Sequence, residues 1–180
     1  MLSRLTRLTQ ARRCFSTLPD RVWRYPAEAI HGHKAKELVL MGGIHGNEIL
    51  GVEVVRFLKA KLDAHPGVLA STSGNLTLAI GNPPAVAMGK RSTEVAADLN
   101  RCFAATKLAS EEPALFFEDT RCRELAPILS SADVLLDIHA TNKPGPCFVR
   151  VAGELGARHL DVLKHLKEAT HALLDPYYIL

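Results

Sequence analysis

Three short apolar runs, each closed by residues that stop a strand, constrain the fold of this chain more than any other feature. ELVLMGG (37–43), NLTLAIG (75–81) and VLLDIHA (134–140) are each about one buried strand long. Between the first two lies a helical pattern from about Glu48 to Leu62, with Ile49, Val52, Val55, Leu58 and Leu62 on one side and His65-Pro66-Gly67 at its end. The stretch 85–105 reads as loop with short helical turns. A further helix is expected from about Phe116 to Leu129, with Pro127 limiting or kinking its end. CFVRV (147–151) reads as a fourth strand, 155–174 as a long helix, and YYIL (177–180) as the start of another strand. The segment from Tyr25 to Lys36 reads as loop. Strands alternating with helices predict an α/β layered domain with a mostly parallel sheet. In such sheets ligands collect beyond the carboxyl ends of the strands. His45 follows the first run, Asn82 the second, and His139 closes the third.

Charge and composition exclude more than they assign. The net charge of +3 is local: no acidic residue precedes Asp20, whereas Arg4, Arg7, Arg12 and Arg13 all do. Without that stretch the chain is near neutral, so net charge gives no support to a nucleic-acid or membrane surface. No apolar run approaches the roughly 20 residues that span a bilayer. The acid-free segment, with Leu2, Leu5 and Leu8 at helical spacing, has the composition of a mitochondrial transit peptide over residues 1–20. The expected location is therefore mitochondrial, with plastid or cytoplasm as alternatives, and 21–180 is read as the folded domain. Cys14, Cys102, Cys122 and Cys147 are scattered and suggest neither a disulfide framework nor a structural zinc knot.

GGIHGNE places His45 and Glu48 three apart at a strand-to-helix turn, with Gly42, Gly43 and Gly46 as sources of backbone freedom. Alone, such a pair is weak; a capped helix beside a surface histidine explains it better. His139 at the same sheet edge supplies a third donor, and His/His/carboxylate with one open position is a usual ligand set for catalytic zinc. Asp137, on the same strand face as His139, could orient a ligand imidazole or pair with an arginine. Arg91, Asn100 and Arg101 suit an anionic substrate, because guanidinium grips carboxylate through paired charge-assisted bonds. An arginine beside zinc could instead stabilise an oxyanion.

GGIHGNE, then NPPAV, Arg91 and DLNRCF, then LLDIHAT, in this order from about Glu37 onward, resemble the succinylglutamate desuccinylase and aspartoacylase family, relatives of the zinc carboxypeptidases. The resemblance implies a zinc-carboxypeptidase-like domain with one Zn2+ on His45, Glu48 and His139. It implies Arg91 polarising the scissile carbonyl, Asn100 and Arg101 gripping a substrate carboxylate, and hydrolysis of a small acidic N-acyl amino acid. Ser92 stands where the family usually has an aromatic residue after the arginine. The family's general-base glutamate lies on a later strand, beyond Leu180, so the chain is expected to be C-terminally truncated. A carboxypeptidase-like peptidase and a zinc-binding fragment without activity are the alternatives.

Overall fold

A computed structural model describes residues 18–27, 35–69, 72, 74–141, 143, 148–151 and 156–169. The segment read as a transit peptide lies almost wholly outside these residues, and so does YYIL. The chain divides into two compact units, 1–140 and 141–180. The second contains a helix, Ala157–Ala169 (α6), inside the longer stretch expected from the sequence. No strand runs through 148–151, so the described part of CFVRV does not form the expected fourth strand.

The first unit is built on a four-stranded sheet in the order β1-β3-β2-β4. The strands are β1 Val22–Tyr25, β2 Lys36–Gly42, β3 Gly74–Ile80 and β4 Val134–Ile138. β2 pairs parallel with both β3 and β4, while β1 runs antiparallel along β3. The apolar runs therefore form the parallel core as expected. β1 is an element the sequence reading left in or before a loop: VWRY is four residues long and carries an arginine, too little pattern to identify.

Helix α1, Ile49–Ala64, covers one face of the sheet. Val52, Val55 and Leu62 pack there with Leu78 and Ile80, each contributing on the order of 1.5–3 kcal/mol of burial. Ile49, expected on this side, is 53% exposed. Helix α5, Phe117–Ser130, and the short helix α3, Leu99–Cys102, cover the opposite face through Leu99, Cys102, Cys122, Leu125 and Ile128. α5 continues through Pro127 rather than stopping at it. Pro83–Met88 forms α2, capped by Asn82, and Ala105–Leu108 forms α4.

The connection from β2 to β3 passes through α1, and that from β3 to β4 ends in α5 on the other face. β3 and β4 flank β2 on opposite sides, so the order reverses at β2. In open α/β sheets such a reversal is where a ligand crevice is expected, here at the carboxyl ends of β2 and β4. The register brings those ends level: Gly42 lies opposite Ile80 on one side and Ile138 on the other. His45, Asn82 and His139 thus leave the sheet three, two and one residues beyond one line.

The glycines of GGIHGNE act in two ways. Only Gly43 uses a positive φ, 70°. At Gly42 and Gly46 the requirement is space. A Cβ on Gly46 would lie 2.0 Å from the Ala85 carbonyl carbon, and one on Gly42 would lie 2.3 Å from that of Gly51. These contacts seat the His45 turn directly on α2 and the start of α1 on β2. Gly46→Ala is expected to destabilise the chain by about 3 kcal/mol, the upper range for overpacking against an unyielding neighbour. Chemical denaturation checks this; a loss under about 0.5 kcal/mol, the range of ordinary surface substitutions, would mean the turn is not seated on α2.

Candidate metal centre

Glu48 precedes α1 but its carboxylate does not cap the helix. It turns across the crevice. Oε1 lies 2.7 Å from Nδ1 of His45, Oε2 lies 3.0 Å from Nδ1 of His139, and Oε2 also accepts the Ala140 backbone N–H at 2.8 Å. His45 is 3% exposed, so neither half of the capped-helix, surface-histidine explanation holds. One ligand atom from each of His45, Glu48 and His139 falls within 4.8 Å of the others.

The outward faces of both imidazoles are held as well. Nε2 of His45 lies 3.1 Å from Oδ1 of Asp98, and Nε2 of His139 lies 2.8 Å from Oδ2 of Asp137. Of the two roles open to Asp137, the structure shows the one on the imidazole. Every ring nitrogen of the pair therefore faces a carboxylate oxygen. Ionised carboxylates only accept hydrogen bonds, and a neutral imidazole has a single N–H to give. With both imidazoles neutral, the three carboxylates around them also leave negative charge that Arg91 alone does not balance.

A divalent cation would resolve both problems. With Nε2–H donated outward to Asp98 and Asp137, both Nδ1 lone pairs and the Glu48 carboxylate turn inward as donors. Carboxylates that orient ligand imidazoles in this way are the usual outer support of zinc sites. The donor set, two imidazoles and one carboxylate, fits catalytic zinc.

The electrostatics follow the same contacts. Burial pushes the Glu48 carboxyl up, but the Ala140 amide and the two imidazoles outweigh it and hold its pKa below the ordinary value. Asp98 is likewise raised by burial yet ends low, through Arg91, His45 and the Asn100 amide. The Asp137 hydrogen bond, opposed by burial and assisted by Glu48, raises the pKa of His139.

Arg91 reaches the same cluster. Its Nη2 donates to Oδ2 of Asp98 at 3.0 Å, and its Nη1 lies 3.9 Å from Oε1 of Glu48. Asp98 thus braces a histidine with one oxygen and the arginine with the other. Asn100 and Arg101 stand on α3, immediately after Asp98. Their backbone amides bond to Asp98, Asn100 to Oδ1 at 3.0 Å and Arg101 to the carbonyl at 2.8 Å, while both residues are exposed. The structure therefore gathers His45, Glu48, His139 and Arg91 by side-chain contact, and ties Asn100 and Arg101 to the cluster through the backbone around Asp98. The sequence reading gave Asp98 no role, although it opens the DLNR motif.

Comparison with known proteins bears on the family to which the chain belongs. The pattern of the succinylglutamate desuccinylase/aspartoacylase catalytic domain matches residues 34–171. A protein named probable aspartoacylase from Nostoc sp. is 34% identical over 114 residues, covering 61% of this chain and 36% of that protein. The human N-acyl-aromatic-L-amino acid amidohydrolase (carboxylate-forming) is 32% identical over 142 residues, covering 73% and 42%. The succinylglutamate desuccinylase of Yersinia enterocolitica is 36% identical over 86 residues, covering 45% and 24%. The chain thus spans less than half the length of these relatives. In fold, it resembles the crystal structure of an aspartoacylase family protein from Mesorhizobium loti, with a TM-score of 0.50 at 24% identity, over 66% of this chain and 33% of that one. The match over residues 34–171 bears out the resemblance carried by the three motifs: the chain belongs to the succinylglutamate desuccinylase/aspartoacylase family.

Proposed function

We propose that the protein of which this chain forms the metal-binding part hydrolyses the amide bond of an N-acyl amino acid with the help of one zinc ion. The observation that carries the reading is the paired arrangement at Glu48: both Nδ1 atoms turned onto one carboxylate, both Nε2 atoms held by others. The names of the relatives support the substrate class, as aspartoacylase, succinylglutamate desuccinylase and N-acyl amino acid amidohydrolase.

When bound, zinc would lower the pKa of a coordinated water towards about 7 and polarise a carbonyl. The chain's own residues do the remaining work described here. His45, Glu48 and His139 hold the ion at the crevice, and Asp98 and Asp137 keep both imidazoles aimed inward. Arg91 brings a guanidinium to the place where the scissile carbonyl oxygen gains charge. Arg101 and Asn100, exposed on α3, pair with the free carboxylate of the amino acid and set the orientation of the amide.

The test is to load the protein with zinc and assay N-acetylaspartate, N-succinylglutamate and an N-acyl aromatic amino acid for amine release. Arg101→Ala is expected to raise KM about 10- to 100-fold, the worth of a lost charge-assisted bond, with zinc content unchanged. Equal KM in both proteins would remove Arg101 from the substrate site. Failure to cleave any of the three would sink the substrate class.

A further inference from the structure

We propose that Glu118 is a positioning residue for Arg91, clamping the segment that carries it. The proposal takes from the reading above only that Arg91 faces the substrate carbonyl. Glu118 lies in the first turn of α5 and is fully buried. Its Oε1 accepts the Thr93 backbone N–H at 2.7 Å and Nδ2 of Asn82 at 2.8 Å, and its Oε2 accepts the Thr93 hydroxyl at 2.7 Å. Thr93 stands two residues after Arg91. The Arg91 carbonyl in turn accepts the Gly46 N–H at 3.3 Å, beside His45. Residues 91–93 are therefore pinned at one end to the histidine turn and at the other to α5.

The same carboxylate fixes Asn82, whose Oδ1 accepts the Ala85 N–H and caps α2 at the end of β3. α5 thus reaches across the sheet edge to hold two segments of the crevice. The bonds to Glu118 come from neutral donors, and among the described residues no ion pair to it is found. Coulombic attraction to a partner cation does not offset its burial. What the three bonds achieve is a fixed course for residues 91–93. A half-exposed arginine on a loop needs such a restraint, because misplacement by about 1 Å is enough to impair a positioned group. Nothing in the sequence marks Glu118, which sits among Glu111, Glu112 and Asp119 in an ordinary acidic stretch.

The test compares the full chain with Glu118→Leu, Glu118→Gln and Thr93→Val. Three quantities are measured: amide hydrogen exchange at Thr93, zinc affinity, and the affinity of the zinc-loaded protein for acetate, the carboxylate released by deacetylation. Glu118→Leu should expose the Thr93 amide and weaken acetate about tenfold, with zinc affinity within about twofold. Glu118→Gln should restore both, because its amide oxygen still accepts from Thr93 and Asn82 and its NH2 can donate to the Thr93 hydroxyl. If Glu118→Leu does not fold, Thr93→Val, which loses only the hydroxyl bond, should still weaken acetate about threefold at unchanged zinc affinity. Unaltered protection at Thr93 in Glu118→Leu, or wild-type acetate affinity in Thr93→Val, would overturn the proposal. So would zinc and acetate affinity falling together without rescue by glutamine. If exchange responds as expected but the wild-type chain does not bind acetate, the clamp stands and the role given to Arg91 falls.

Discussion

Alanine at position 48 is expected to abolish zinc uptake at micromolar metal. Among the described residues, Glu48 is the one that hydrogen-bonds both histidines, through separate oxygens. Its removal takes away a proposed ligand, unseats both Nδ1 atoms and frees the Ala140 amide. The loss should exceed the roughly 10- to 100-fold that an outer hydrogen-bond partner of a ligand is worth. Asp137→Asn supplies that comparison: it leaves the three donors in place, disturbs only Nε2 of His139, and should fall within the 10- to 100-fold range. Titration against a chromophoric chelator measures both. If Glu48→Ala binds zinc as well as Asp137→Asn does, Glu48 is an outer support and not a ligand.

Zinc affinity should fall about tenfold per pH unit for each proton displaced, as pH drops below the raised pKa of His139. Below that pKa the metal-free imidazole carries a proton that the ion must expel. The stability of the metal-free chain should move the other way. A histidine whose folded pKa is raised above its unfolded value of about 6.5 contributes stability that is fully present below about 6.5 and lost as pH rises through the folded value. Here the cause of the raised value is chiefly the Asp137 hydrogen bond, with Glu48 adding to it. Raising the pH therefore weakens the metal-free fold at this residue while strengthening zinc binding. Asp137→Asn should move both transitions to lower pH. Chelator titrations and denaturation between about pH 5.5 and 8 read the two trends. Zinc affinity that does not change over that interval would exclude His139 as a ligand that must lose a proton.

The elements that the sequence revealed are those whose apolar pattern is long and closed by clear breakers. β2, β3, β4 and α1 follow this rule, and the positions of His45, Asn82 and His139 beyond the strands follow from them. β1 was not legible, because VWRY is short and its place is set by pairing with β3 rather than by its own pattern. CFVRV has the composition of a strand, yet its described part holds only a single bridged residue, Val149. In the site, the ligand set could be argued from residue type and spacing. The carboxylates behind it could not: Asp98 is 53 residues from His45 and Glu118 is 25 from Thr93, and no local spacing rule reaches so far. The glycines were legible as residues but not in their reason, since only the fold shows that Gly42 and Gly46 are needed for backbone contact.

Diffraction at the zinc absorption edge, from crystals of the chain grown with zinc, tests the central claim most directly. The expected result is one anomalous peak at the carboxyl ends of β2 and β4, bound by Nδ1 of His45, the Glu48 carboxylate and Nδ1 of His139, with Nε2 of each histidine still on Asp98 or Asp137. A peak ligated through Nε2, or lying away from these three residues, would contradict it.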